Sequence, residues 1–267
     1  MEHKINGSLP SPIDLRDFRV SSSVTNIELP EEFRLEDYDV KDQGMVNSCV
    51  AHSLTSMLEK SGWKFSTGWV YGYRPEGYYQ GEGMYPREAL NTLLKKGAVK
   101  KDDFDYNIEM NDAKTLVDNN IYKLEALADD YHITSYARLY NEKEIKSWIF
   151  VHKIGVPIAI ATEDLKLDKN NIIQIPATYP QFGHAMLIVG WNQSGFIVQN
   201  SWGKNWGDNG YAILPYEYQI REAWGVTTTE RHAEESVTTP KFNFIRCFIQ
   251  SIIKAFMKIH ENKHRDV

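Results

Sequence analysis

Apolar residues recur at helical spacing in two stretches of the first half of the chain. The first stretch follows Ser48 and has apolar positions at Val50, Leu54, Met57 and Leu58. Because Ser48 can cap its start and Gly62 can end it, Cys49 is expected to be the first residue of a helix. The second stretch begins near Pro86 and runs to Gly97 through Ala89, Leu90, Leu93 and Leu94. This half is predicted to be helical.

The second half has a different pattern, in which short apolar runs alternate with turn residues. The runs are 156–161, 185–190, 196–198 and 211–214. Runs of this length between turn residues are typical of strands, and the turn sequence 192–195 predicts a hairpin. The chain is therefore predicted to be α+β, with a helical part followed by a small sheet.

The two ends of the chain lack the pattern of a globular core. Residues 1–28 contain Pro10, Pro12 and three consecutive serines without periodicity, which predicts an extended leader on the surface. Residues 227–240 have the composition of a linker. Residues 241–262 predict a basic amphipathic helix, whose apolar face could pack on the rest of the chain, lie on a membrane surface or dock a partner.

Composition and charge narrow the classes of protein. The 267 residues carry a net charge of −6, with 42% hydrophobic and 25% charged residues, which gives no reason to expect a nucleic-acid partner. No apolar run approaches the roughly 18 residues of a membrane span. The two cysteines, Cys49 and Cys247, lie far apart, and the first nine residues do not resemble a secretory signal. A cytoplasmic, reducing location is expected, with Cys247 in a packing role.

Cys49 is the candidate nucleophile. An ordinary cysteine has a pKa of about 8.5 and is only about 3% ionised at neutral pH. The N-terminus of a helix and a nearby histidine can both favour the thiolate. The sequence around Cys49 decides whether it is reactive or simply buried.

Four motifs resemble those of the papain family of cysteine peptidases. Residues 41–53, KDQGMVNSCVAHS, resemble the active-site cysteine motif, with Gln43 six positions before Cys49. Residues 183–191, GHAMLIVGW, resemble the histidine strand, and residues 199–211, QNSWGKNWGDNGY, the asparagine motif. Residues 81–90, GEGMYPREAL, resemble the substrate-binding loop and the helix after it. The similarity covers roughly residues 29–226 and is to a member without disulfides or a long prodomain, of bacterial or phage type.

The resemblance implies both a fold and an activity. The fold would be α+β with two lobes, a helical lobe over 29–134 and an antiparallel β lobe over 135–226, with the active-site cleft between them. In an endopeptidase of this family Cys49 would be the nucleophile and His184 the base and later the acid. Asn200 would orient His184, and Gln43 would help form the oxyanion hole. No cofactor and no metal would be needed, and the substrate would be a peptide or a protein.

Further positions match the family's substrate-binding residues. The resemblance assigns this role to Gly83, Met84, Tyr85, Pro86, Phe182, Gly183 and Trp202. Met84 replaces a common glycine and would narrow the cleft on the acyl side. Phe182 would line the pocket for the second residue on that side.

The sequence also departs from the family pattern beside the nucleophile. Val46 stands where secreted relatives usually have a disulfide cysteine, which fits a reducing location. Asn47, Val50 and His52 also differ from the usual residues, so substrate preference cannot be transferred. His52 lies one helical turn after Cys49 and would point away from the helix tip, so a structural role is expected.

The contact between His184 and Asn200 does not follow from simple strand pairing. Centring the hairpin turn pairs position 184 with 203, so the two side chains would be three residues apart, or about 10 Å. A bulge or a bent strand is therefore predicted.

Two other functions remain open from the sequence. The same acyl-enzyme could transfer its acyl group to an amine instead of water. Alternatively, the fold could serve as a binding module without catalysis. The leader could be autoinhibitory, crossing the cleft, or only a surface strap.

Overall fold

The computed structural model describes most of the region of family resemblance and part of the predicted leader. The described residues are 7–15, 17–18, 27–36, 38–73, 83–104, 112–181 and 183–228. Phe182, most of the predicted linker, Cys247 and the predicted C-terminal helix over 241–262 lie outside them.

The described residues form six helices, and both predicted helices are among them. Their bounds are α1 (Cys49–Leu58), α2 (Thr67–Gly72), α3 (Pro86–Lys95), α4 (Asp112–Asn119), α5 (Ile121–Ala128) and α6 (Glu142–His152). A single 3₁₀ turn, Glu59–Ser61, extends α1, and Gly62 ends it with φ +81°. Helix α2 was not predicted from its Gly- and Tyr-rich sequence. It forms because the Ser66 side chain accepts a hydrogen bond from the Trp69 N–H and Trp69 is fully buried.

The start of α1 differs from the prediction in one respect. Ser48 precedes the helix, but its side chain makes no capping hydrogen bond. Its Oγ instead lies 3.2 Å from Nδ1 of His52. The side chain of Ser48 therefore accepts no hydrogen bond from the N–H groups of the first turn, which leaves the positive end of the helix available to other groups.

Seven strands among the described residues form one antiparallel sheet. They are β1 (Phe33–Arg34), β2 (Ile133–Arg138), β3 (Val156–Ala161), β4 (Gly183–Asn192), β5 (Gly195–Gln199), β6 (Tyr211–Leu214) and β7 (Ile220–Thr228). The order is β2-β7-β3-β4-β5-β6, and β1 pairs with the far end of β4. The predicted β4–β5 hairpin is confirmed by the pairing of Asn192 with Gly195. Strand β7 continues to Thr228, two residues into the predicted linker.

Helix α1 packs on strand β4 and is buried on all sides. Each of its ten residues is buried, so its polar side chains need partners inside the protein. Ser53 Oγ donates a hydrogen bond of 2.8 Å to the carbonyl of Met186 in β4. This bond ties the helix that begins at Cys49 to the strand that carries His184.

Replacing Ser53 with alanine tests how much this bond stabilises the fold. We expect Ser53→Ala to lower the free energy of unfolding by about 1–2 kcal/mol, because a buried hydrogen bond between helix and sheet is lost. Ser56→Ala is the matched control, since Ser56 is buried in the same helix without a comparable bond to β4. Denaturant unfolding measures both, and equal losses would contradict the assignment.

Candidate active site

A shift in strand register brings His184 and Asn200 to the same face of the sheet. Strands β4 and β5 pair Gly190 with Ile197 but Ile188 with Val198, so one residue of β4 is extra between these pairs. Continued along the strands, the shifted register places position 184 opposite 202 instead of 203. Position 200 is then a diagonal neighbour on the same face. His184 Nε2 lies 2.7 Å from Asn200 Oδ1, which agrees with the bulge predicted from the sequence.

Cys49 lies at the first position of α1, next to the strand that carries His184. Its thiol is within hydrogen-bonding reach of the backbone N–H of Ala185, the residue after His184. The side chain is completely buried. Burial raises the pKa of the Cys49 thiol to about 12, although hydrogen bonds from backbone N–H groups, including that of Ala185, lower it. In this arrangement the sulfur carries its proton at neutral pH.

Gln43 is fixed by hydrogen bonds at both ends of its amide. Its Oε1 accepts a 2.6 Å hydrogen bond from Ser201 Oγ, and its Nε2 donates one of 2.7 Å to the Val46 carbonyl. Its backbone N–H donates to the Ser201 carbonyl at 2.8 Å. Ser201 directly follows Asn200, so the loop before Cys49 is tied to the Asn200 segment.

Trp202 covers the pair formed by His184 and Asn200. Its ring centroid lies 5.0 Å from that of His184, and Trp206 packs edge-on against it at 5.8 Å. Both His184 and Asn200 are almost completely buried. Excluding water in this way strengthens the hydrogen bond between them.

The predicted leader occupies the cleft between the substrate-binding loop and β4. The Ser8 N–H donates to the Gly183 carbonyl at 3.0 Å, and the Gly183 N–H donates back at 3.2 Å. On the other side, the Leu9 N–H and the Gly7 carbonyl pair with Met84, each at 2.9 Å. Ser8 therefore bridges β4 in the antiparallel sense and Met84 in the parallel sense. Met84 and Gly183, two of the positions expected to bind substrate, therefore border this segment.

Gly7 is pressed against the thiol of Cys49. A Cβ atom added to Gly7 would lie 2.7 Å from Cys49 Sγ and 2.6 Å from the Asn47 carbonyl oxygen. No side chain fits at either distance, so only glycine allows the leader to pass here. The same segment therefore shields the thiol from water.

An apolar pocket lies beside Val50, the residue after Cys49. Its lining is Val50, Ser53, Leu54, Pro86, Pro157, Ile158, Ala185 and Trp224. Pro86 was predicted to bind substrate, whereas Trp224 was not, because nothing in the sequence around β7 marks it. Tyr85 is the residue just before α3.

Two buried charges near this pocket were also missed from the sequence. Arg87 and Glu222 are only 6% and 3% exposed. Arg87 lies three positions before Leu90 on the apolar face of α3, and a charge on an apolar stripe was the available signal. No such signal marked Glu222.

His52 points toward the start of its helix, where Ser48 lies, and not away from the helix tip as predicted. Its Nδ1 lies 3.0 Å from the carbonyl oxygen of Ser48 in its own helix. Burial lowers the pKa of His52 to about 4, so the ring is neutral at neutral pH.

The described residues lack two features. None of the helices described is long and apolar enough to cross a membrane. Within the same ranges, no group of three or more His, Cys, Asp or Glu side chains is placed to hold a metal ion.

The fold and the arrangement of these residues are those of a papain-like protein. Residues 30–229 match the family described as papain family cysteine protease, and the chain belongs to that family. Its structure is similar to that of xylellain, a cysteine protease from Xylella fastidiosa, with a TM-score of 0.70 and 24% identity. That similarity covers 83% of this chain and 95% of the other. The predicted α+β papain-like fold is confirmed.

Two curated relatives extend the comparison. Peptidase 1 of Dermatophagoides pteronyssinus is 28% identical over 228 residues, covering 79% of this chain and 62% of that protein. Cathepsin F of Mus musculus is 26% identical over 205 residues, covering 71% of this chain and 42% of that protein. The chain thus spans less than two thirds of the length of either relative.

The depressed pKa of His52 predicts a loss of stability in acid. Between pH 6.5 and about 4 the unfolded chain binds a proton at this histidine and the folded chain does not. The free energy of unfolding should therefore fall with decreasing pH, by about 1.4 kcal/mol per pH unit at most from this group. We expect His52→Gln to lose less stability over this range in denaturant titrations. Parallel curves for the two proteins would contradict this assignment.

Proposed function

We propose that this protein is a cysteine endopeptidase that cleaves peptides or proteins. The observation that carries the proposal is the placement of the Cys49 thiol beside Ala185 N–H, next to a His184–Asn200 pair held at 2.7 Å. A nucleophile, a base and a group that orients the base are what acyl transfer through a thiol requires. Membership of the papain family supports the same conclusion.

In this proposal His184 accepts the thiol proton, and the Cys49 thiolate attacks the peptide carbonyl. Asn200 holds the ring through Nε2, which leaves Nδ1 to exchange the proton. The oxyanion takes hydrogen bonds from Gln43 Nε2 and from the backbone N–H of Cys49. His184 then protonates the leaving amine, and water hydrolyses the thioester to release the acid and the free thiol.

The leader supports a peptide as the ligand of this cleft. It lies extended and forms main-chain hydrogen bonds on both sides, to Met84 and to Gly183. A substrate backbone can bond to the same main-chain groups of Met84 and Gly183 once the leader has left. We assign Met84 and Gly183, which border the leader, to substrate binding. We assign the same role to Gly83, Tyr85, Pro86, Phe182 and Trp202.

We further infer that the leader keeps the enzyme latent. It fills the position next to the sulfur, where burial works against the thiolate while the Gly7 backbone N–H has the opposite, smaller effect. Its hold is limited, because the buried Ser8 hydroxyl has no hydrogen-bond partner among the described residues. A buried hydroxyl without a partner costs about 1–3 kcal/mol, so a competing peptide can displace the segment.

We also place the enzyme in a reducing, cytoplasmic environment. Val46 is 5% exposed and packs where secreted relatives usually have a disulfide cysteine. A free thiol nucleophile also needs reducing conditions to stay active.

Substitution of the four proposed active-site residues tests the mechanism. With a fluorogenic peptide library, Cys49→Ala should abolish turnover and labelling by a thiol-directed epoxide. Gln43→Ala should lower kcat about 10²- to 10³-fold, the usual effect of losing one oxyanion donor. His184→Ala and Asn200→Ala should also lower kcat.

His132→Gln is the matched control for this series and should keep normal turnover. Turnover that survives in Cys49→Ala would overturn the proposal. Labelling without any turnover of the library would favour a binding module, and product analysis with an added amine separates hydrolysis from acyl transfer.

Gly7→Val tests latency, because the added side chain cannot fit between Asn47 and the thiol. We expect the rate of Cys49 alkylation at pH 7.5, and kcat/KM for peptides, to rise at least about tenfold as the pKa of the thiol falls toward its ordinary value. Ile13→Ala is the control, since Ile13 is 94% exposed in the same segment. Rates equal to those of the parent protein would show that the leader does not restrain the enzyme.

A further inference from the structure

The buried guanidinium of Arg87 is held by the leader. Its Nη2 lies 2.5 Å from Oδ2 of Asp17, and its Nη1 donates to the Pro12 carbonyl. The backbone N–H of Arg87 donates to Ser11 Oγ at 3.2 Å. Outside the leader, the guanidinium lies over the Trp224 ring, with Cζ 5.6 Å from the ring centroid. Once the leader leaves, this charge loses its counter-ion.

Neighbouring charges do not fully neutralise Arg87 once the leader leaves. Oε2 of Glu222, the nearby buried carboxylate, pairs with Arg138 at 3.2 Å and accepts a hydrogen bond from Trp224 Nε1 at 3.0 Å. Its Oε1 accepts a 2.6 Å hydrogen bond from the Ser11 N–H of the leader. Arg87, Arg138 and Glu222 together carry one net positive charge in the absence of the leader. A buried cation without a partner is unfavourable, so the vacated site favours an anion.

The guanidinium also has an unused donor. Arg87 Nε is buried and has no hydrogen-bond partner among the described residues. Asp17 is bonded at Nη2 and not at Nε. A carboxylate on a longer side chain could bond to both nitrogens at once, which is the preferred arrangement for arginine. The site is therefore only partly satisfied by the leader.

Arg87 lies directly beside the proposed substrate cleft. The preceding residue, Pro86, lines the apolar pocket beside Val50, and so does Trp224, over which the guanidinium lies. A peptide running through the cleft would thus pass the pocket and Arg87 in turn. The Arg87 guanidinium binds the Pro12 carbonyl and the Asp17 carboxylate. It can therefore also bind a carbonyl and a carboxylate of a substrate.

We propose that Arg87 forms a subsite for an acidic side chain on the acyl side of the cleaved bond. This inference rests on the proposed peptidase function and names its substrate class: peptides with glutamate or aspartate two to four residues before the cleaved bond. The leader occupies the subsite with Asp17 in the latent form.

Matched peptides test the subsite on the full-length chain. The peptides are fluorogenic and have identical sequences except at one position. That position is the second, third or fourth residue before the cleaved bond, and it carries Glu, Gln, Asp or Asn. At one of these positions we expect kcat/KM to be at least about tenfold higher for the acid than for its amide, the ratio typical of a hydrogen bond to a charged group. The ratio should fall to near one in Arg87→Gln, while turnover of the amide peptides persists.

Charge reversal separates recognition from misfolding. Arg87→Glu should prefer lysine peptides at the position where the parent protein prefers an acid, and Arg87→Lys should keep part of the acid preference. A ratio below about twofold at all three positions, or an acid preference that survives in Arg87→Gln, would overturn the proposal.

The subsite can be judged even without turnover. If no peptide is cleaved, the proposed function fails, and the same acid and amide peptides are compared by fluorescence anisotropy on Cys49→Ala and on Cys49→Ala with Arg87→Gln. Tighter binding of the acids that requires Arg87 would support the subsite; equal binding of acids and amides would reject it.

Discussion

The packing of α1 against β4 is the constraint on which the whole site depends. Cys49 and His184 are 135 positions apart in the sequence, and the fully buried helix that begins at Cys49 packs against the strand that carries His184. The Ser53 to Met186 hydrogen bond fixes the position of the helix along that strand. With the helix fixed, its open N-terminus directs partial positive charge at the sulfur.

Burial has opposite effects on the two halves of this site. Around His184 and Asn200, exclusion of water by Trp202 strengthens the hydrogen bond between them and keeps the ring oriented. At Cys49 the same exclusion works against the charged form and raises the pKa of the thiol. In the proposed latent form, substrate binding would reverse the part of this burial that the leader causes, because Gly7 and Ser8 are held mainly by main-chain hydrogen bonds to groups that a substrate can also bond. A latent form and an active form can therefore share one scaffold.

The sequence predicted the elements of this site better than their arrangement. Helices α1 and α3 and the hairpin follow from local periodicity and turn residues, and the need for a bulge near His184 followed from counting positions. Helix α2 could not be predicted, because it depends on the burial of Trp69. The pairing of Ser8 with Met84 and Gly183 could not be predicted either, since main-chain hydrogen bonds carry almost no sequence signal. Arg87 and Asp17 are 70 positions apart, and only the tertiary structure brings them together.

Competition between leader and substrate gives the charge on Arg87 its significance. The leader belongs to the same chain, so its effective concentration at the cleft is high, and a free peptide that offers only main-chain hydrogen bonds is at a disadvantage. A peptide with a glutamate could engage Nε as well as Nη2 of Arg87, whereas Asp17 engages Nη2. Such a peptide would also bury no serine hydroxyl without a hydrogen-bond partner, whereas the leader buries that of Ser8. Selectivity for acidic peptides then follows from displacement of the leader, because peptides that do not satisfy Arg87 better than Asp17 rarely reach the thiol.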